Sequence, residues 1–179
     1  MSNQYAIGSI TSGYRAIQNG DRFNHHFPRA NSNDEIVIEN GEVEDTVELM
    51  KKVVWRYIDD TKSIAKTLKG ISKDQTCKQI WNFLYHHIQY KLDKHGLEQL
   101  RRPARSWKDR KTGIDCDCFS IFASSILTNL QIPHSFRITK YGGLHFQHVY
   151  VVVPSGNGVI IIDCDCFSIF ASSILTNLQ

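Results

Sequence analysis

The sequence predicts an α+β domain in which three helices precede an antiparallel sheet, and two observations carry that expectation. Apolar residues recur at helical spacing in three separate stretches between Val47 and Leu130. Beyond Pro133 the period drops to two, and two β-branched runs flank a Pro-Ser-Gly-Asn-Gly turn.

Taken in chain order, residues 1–44 are rich in Asn, Gly, Ser and His and read as a loosely ordered N-terminal arm, with one alternating run, Ile36-Val37-Ile38, that could form a strand. Asp45 with Glu48 resembles a capping box, and Val47, Met50, Val54, Tyr57, Ile58, Ile64 and Leu68 continue a helical stripe as far as Gly70. Ser72 with Gln75 gives a second start signal, followed by Cys77, Ile80, Trp81, Leu84 and Ile88 on one face, with an end near Tyr90. Residues 96–113 lack sustained periodicity and read as a loop with at most a short helical turn. The third helix is the clearest: Phe119, Phe122, Ala123, Ile126, Leu127 and Leu130 share one stripe, and Asp115 stands at the N-cap position. Ser135–Tyr141, Val149–Val153 and Val159–Ile162 then read as strands, the last two joined by a hairpin turn at Gly156.

With 179 residues, 41% apolar content and 11% aromatic content, the chain can build one real core. A net charge of +3 gives no reason to expect a nucleic-acid partner. Neither an export signal nor an apolar run of membrane-spanning length is seen, so a soluble, cytoplasmic protein is expected. Five cysteines, one isolated and two Cys-x-Cys pairs, fit reduced thiols better than a disulfide framework.

Chemistry concentrates around Cys116. A thiol in the first turn of a helix gains thiolate character from the helix dipole and the unpaired N–H groups there. Cys116 and Cys118 both qualify, but Cys116 falls about 50° from the centre of the apolar stripe and Cys118 about 110° away, so Cys116 is expected to face the packing partner. Across the hairpin, His148 falls opposite Asp163 or a residue beside it, within reach for a carboxylate to orient an imidazole. Thiol, imidazole and carboxylate together make a Cys-His-Asp set suited to acyl transfer, with an oxyanion hole from helix-start N–H groups including that of Cys116. Gln99 or Trp107 would be further oxyanion candidates, a loop Gln and a packing Trp being the plainer accounts. The basic run Arg101, Arg102, Arg105, Lys108, Arg110 and Lys111 reads as a solvated loop before it reads as an anion site. His145 should point to the sheet face opposite His148. His25, His26, His86, His87, His95 and His134 suggest surface or capping roles.

Gly113-Ile114-Asp115-Cys116-Asp117-Cys118-Phe119, the apolar helix to Gln131-Ile132-Pro133, His148-Val149-Tyr150-Val151 and Ile161-Ile162-Asp163 together resemble the three-motif signature of the transglutaminase-like superfamily. Glu98-Gln99-Leu100-Arg101-Arg102-Pro103 is similar to the segment leading into the nucleophile in bacterial members. The resemblance covers residues 45–163 and implies a papain-like α+β core with Cys116, His148 and Asp163 as catalytic residues, no cofactor or bound metal, and a peptide or protein substrate. It departs at Gln131, where Gly is usual, and after Asp163.

That second departure is a repeat. Residues 114–131 recur letter for letter as residues 162–179. Divergence erases natural duplications, so residues 164–179 read as a copied nucleophile helix foreign to the fold, with native sequence expected to end near Asp163 or Cys164. Its stripe of Phe167, Phe170, Ala171, Ile174, Leu175 and Leu178 would need cover, and self-association through it is one route. The rival function is a structural zinc module holding Cys116, Cys118, Cys164 and Cys166 as four thiolates, and a third reading keeps the fold as an inactive binding domain.

Overall fold

The computed structural model describes residues 15–31, 35–39, 43–94, 97–139, 148–156, 158–165 and 167–171. These form a mixed α+β structure with five helices, α1 (Val43–Arg56), α2 (Lys62–Thr67), α3 (Lys73–His87), α4 (Pro103–Lys108) and α5 (Cys116–Asn129). Six strands accompany them: β1 (Glu35–Glu39), β2 (Leu97–Arg101), β3 (Ser135–Thr139), β4 (His148–Ser155), β5 (Gly158–Ile162) and β6 (Phe167–Ala171). β1 and β2 pair as a two-stranded ribbon, and β3-β4-β5-β6 form a four-stranded antiparallel meander.

Helix α5 is the axis of the molecule. Its residues from Asp117 to Leu127 are all buried, because β4 covers one side while α1, α2, α3, α4 and β2 close the others. A helix enclosed on every face needs no polar stripe, and its Ser120, Ser124 and Ser125 are accommodated by hydrogen bonds to Val149 O, His134 and Thr61. Fully covering Phe119, Phe122, Ile126 and Leu127 contributes about 1.5–3 kcal/mol per side chain. The helix ends in a Schellman motif: Gln131 takes a left-handed φ of 56°, its N–H donates to Thr128 O, and Ile132 N–H donates to Leu127 O.

Helix α3 begins as its sequence signal requires, with Ser72 Oγ accepting from Gln75 N and Gln75 Oε1 accepting from Ile71 N. It closes at His87, slightly short of Tyr90. The single long helix expected between Asp45 and Gly70 is instead broken: α1 ends at Arg56, a 3₁₀ turn spans Ile58–Thr61, and α2 follows. The break coincides with Asp60, whose carboxylate accepts from the Arg102 guanidinium at 2.6 and 2.8 Å and from Ala104 N at 2.9 Å. That carboxylate thereby caps the first turn of α4, a tertiary demand that outweighs the helical periodicity around it.

The stretch expected to be a loop holds both β2 and α4, the latter opened by Pro103 at a first-turn position. β2 pairs with β1 in the register Val37↔Gln99. The part of the N-terminal arm that is described is not loose: a 3₁₀ helix at Asp21–His26 places Phe23 and Phe27 against Phe83 and Trp107, with Phe27 buried in the core.

The second copy of the repeat does not form a helix over the residues described. Phe167–Ala171 is strand β6, pairing Ile160↔Ile169 and Ile162↔Phe167. Residues 172–179 of the expected helix lie outside the described residues. Among the described residues no helix is long and apolar enough to cross a membrane.

Candidate active site

The nucleophile candidate is built from a glycine, a cap and a helix start. Gly113 has φ +106°, and a Cβ there would sit 2.5 Å from Lys91 Cβ, so both conformation and space call for glycine. Ile114 bridges to Tyr90, fixing the chain entering α5. The Asp115 carboxylate then accepts from Cys118 N at 3.2 Å, the expected N-cap. Cys116 follows as the first helical residue, partly buried, packed against both hydrophobic clusters of the core, with its Sγ 3.7 Å from Asp117 Oδ1. Backbone N–H groups of a helix's first turn have no intrahelical acceptor, so those of Cys116 and Asp117 are the oxyanion donors that this geometry offers.

His148 opens β4 and Asp163 directly follows β5. The hairpin pairs Ser155↔Gly158 and Val151↔Ile162, so extending the ladder puts Tyr150 level with Asp163 and His148 on the diagonal. This register is shifted from the directly opposed pairing expected from a turn centred on Gly156, yet a diagonal pair is still within side-chain reach. The imidazole Nε2–H donates to Asp163 Oδ1 at 2.8 Å and Oδ2 at 2.9 Å, with both side chains about nine-tenths buried. With Nε2 protonated, the lone pair of the neutral ring is on Nδ1.

Two residues hold the Asp163 segment in place that the sequence did not flag. Trp81 Nε1 of α3 donates to Asp163 O at 2.8 Å. Arg15 donates to Cys164 O at 3.0 Å and to Ile88 O at 2.7 Å, and its guanidinium lies 4.1 Å from the centre of the Tyr85 ring. Both are long-range links from residues that carry no motif.

The surroundings of Cys116 are acidic. Burial raises its thiol pKa well above the usual value, and the charges of Asp117, Asp115 and Asp163 add to that. This opposes the helix-start effect expected from sequence. The carboxyls are themselves perturbed: burial and a hydrogen bond to Asp93 push Asp115 up to about 8, and burial with Asp115 and Glu98 nearby pushes Asp117 up. Both carboxyls are thus pushed in the same direction as the thiol, by burial and by their acidic neighbours.

Cys118 is fully buried rather than turned from the packing interface, because α5 has no solvent face there. Its Sγ donates to Gln99 O at 2.9 Å and accepts from Arg101 N at 3.4 Å. Burial and the nearby Asp115 raise its thiol pKa. Gln99 meets Arg101 through its side chain, and Trp107 is a core residue whose Nε1 donates to Asn24. Only part of the basic run is solvated: Lys108 and Lys111 are exposed, but Arg101 and Arg110 are buried, and Arg101, Arg102, Arg105 and Arg110 pair with Asp93, Asp60, Asp109 and Asp21 respectively. His134 lies between Ser124 Oγ at 2.7 Å and Ile132 O at 2.8 Å, and His26 meets Ser63. His95 and His145 lie outside the described residues.

No family model, curated protein or solved structure matches the chain. Function therefore rests on the site alone.

Two groups of side chains have the proximity to share a metal ion. His148, Asp163 and Cys164 offer ligand atoms all within 4.8 Å of one another, as do Asp93, Glu98 and Asp115. The four-thiolate set is not assembled: among the described residues Cys116, Cys118 and Cys164 do not converge, and Cys166 lies outside them. Thiol, imidazole and carboxylate with helix-start donors give the residues at this site the functional groups of nucleophilic acyl transfer.

Proposed function

We propose that the chain is a thiol-dependent amide or isopeptide hydrolase of papain-like, transglutaminase-like type, acting on a peptide or protein substrate through Cys116, His148 and Asp163. The observation that carries this reading is the two-pronged hydrogen bond from His148 Nε2–H to Asp163, buried on the sheet that packs against α5. A carboxylate gripping one ring nitrogen fixes the tautomer and leaves the other nitrogen basic, which is what a thiol nucleophile requires of its partner.

In this mechanism Cys116 Sγ attacks the amide carbonyl carbon as its proton passes to His148 Nδ1. Because burial and acidic neighbours favour the thiol over the thiolate, proton transfer accompanies attack rather than preceding it. The oxyanion meets the N–H groups at the start of α5. Collapse of the tetrahedral intermediate breaks the C–N bond, His148 returns the proton to the departing amine, and a thioester remains on Cys116. Water then attacks the thioester with His148 as base, releasing a carboxylic acid and restoring the thiol. Water is preferred as acceptor over a second amine because it is always present, whereas transamidation needs an amine site that the sequence does not display.

Profiling against a peptide and isopeptide library tests this. Turnover is expected in the wild type, with loss in Cys116→Ala and retention of most activity in Cys118→Ala. Equal losses in the two variants would overturn the assignment of the nucleophile. Absence of turnover, with no labelling of Cys116 by iodoacetamide across pH 6–9, would favour an inactive binding domain.

A further inference from the structure

The residue after Asp163 has no role in the triad, yet it completes a second constellation. Cys164 is buried, and its Sγ, an imidazole nitrogen of His148 and a carboxylate oxygen of Asp163 lie mutually within 4.8 Å. We infer that these three side chains form a binding site for a divalent zinc ion. The donor set decides the metal: one thiolate excludes the hard cations Mg²⁺ and Ca²⁺, and a mixed sulfur, nitrogen and oxygen set is one that zinc accepts in tetrahedral geometry. Zinc–ligand bonds of about 2.0–2.3 Å place tetrahedral ligands roughly 3.3–3.8 Å apart, so side-chain rotations of about 1 Å close the set.

The scaffold favours such closure. Trp81 holds Asp163 through its carbonyl and Arg15 holds Cys164 through its carbonyl, so both backbones are fixed, and the Asp163 carboxylate already meets the His148 ring. His148 is fixed at the start of β4, whose Thr139↔His148 and Val151↔Ile162 pairings tie it to strands on either side. Binding releases the Cys164 thiol proton to solvent and places positive charge among the carboxylates of Asp163 and Asp165, the latter one residue beyond. Three protein ligands leave the fourth position to water.

A regulatory consequence follows, and it rests on the thiol-hydrolase reading above. Zinc on His148 and Asp163 removes the base and its orienting carboxylate together, so the metal-loaded chain is switched off and chelation switches it on.

The test uses the full chain under a phosphine reductant. Zinc content is measured by equilibrium dialysis with elemental analysis, and cobalt(II) serves as the optical probe. One metal per chain is expected, with a cobalt–thiolate charge-transfer band. Cys164→Ser should lose the band and weaken zinc binding at least ten-fold, whereas Cys118→Ala should keep both, with circular dichroism confirming that each variant is folded. Unchanged binding in Cys164→Ser, or loss of the band in Cys118→Ala instead, overturns the site. In the activity arm, micromolar zinc should inhibit the wild type at least ten-fold more strongly than Cys164→Ser, reversibly with EDTA. Stoichiometric zinc without any thiol-dependent turnover would defeat the hydrolase reading while leaving the site standing. Turnover insensitive to Cys164→Ser in the presence of zinc would do the reverse.

Discussion

Phe119–Ala123 and Phe167–Ala171 are the same five residues in the same eighteen-residue context, yet the first lies about one turn into a helix and the second is a strand. The difference traces to what each copy's leading aspartate does. Asp115 turns its carboxylate onto Cys118 N and nucleates α5. Asp163, its counterpart, has its carboxylate held by His148 and its carbonyl held by Trp81, so it offers no cap. Lateral cover differs as well: α5 is surrounded by helices and sheet, whereas the second copy leaves β5 in mid-sheet and folds back on its neighbour. Intrinsic propensities among Phe, Ser, Ile and Ala differ by well under 1 kcal/mol per residue, so context decides.

The largest difference between the copies is expected at the paired cysteines. If the copies have separate roles, Cys116→Ala should lower turnover on the order of a millionfold, as removal of a nucleophile does elsewhere, while Cys164→Ala in zinc-free buffer changes it only a few-fold. Equal losses would mean that the second copy shares the chemistry. The paired aspartates come next. Asp163→Asn should reduce kcat by roughly 10⁴-fold by presenting the wrong tautomer, and Asp115→Asn, which retains a good cap, should stay within about ten-fold. Steady-state kinetics on the best library substrate decides both.

Helix against strand is tested by proline. Ser120→Pro, inside α5, should cost 3 kcal/mol or more in denaturant unfolding, since it deletes a helical hydrogen bond and clashes with the preceding turn. Ser168→Pro, in the terminal strand of the meander, should cost about 1 kcal/mol. Similar losses at both sites would mean that the second copy is a helix after all.

The aspartate of the first copy is also tested by pH. The carboxyl of Asp115 holds its proton up to about pH 8 in the folded chain but only to about 3.8 once unfolded. Between those values the folded state binds the extra proton, so stability falls as pH rises, by at most about 1.4 kcal/mol per unit. Asp115→Asn removes that term, and its Tm should decline less than the wild type's between pH 5 and 8. Parallel curves would show that Asp115 is ionised when folded.

How much was legible in the sequence follows from the range of the interactions involved. Ser72 with Gln75 and Asp115 with Cys118 are local caps, and both are where the sequence signals put them. The His148–Asp163 contact was legible because one hairpin joins them, although its register was not. The break at Asp60 depends on Arg102 and Ala104, and β2 depends on β1, partners that short-range periodicity cannot see. Arg15 and Trp81 act on Asp163 and Cys164 across the fold, and the ion pairs of Arg101 and Arg110 turn an apparently solvated loop into a partly buried one. The encirclement of α5 likewise made the facing angle of Cys118 uninformative, since every angle there meets protein.

The least disruptive probe lies at the end of the first copy. Gln131 occupies the left-handed position of the Schellman motif, where a Cβ meets the carbonyl oxygen and a non-glycine residue is penalised by about 1 kcal/mol. Gln131→Gly relieves that strain but adds backbone freedom to the unfolded chain, so a net gain of about 0.5 kcal/mol is expected, seen as a slightly higher denaturant midpoint with unchanged slope. The motif exists only because a helix precedes it. Stabilisation by Gln131→Gly would support a Schellman end to α5, whereas a lower midpoint would mean that position 131 is not left-handed.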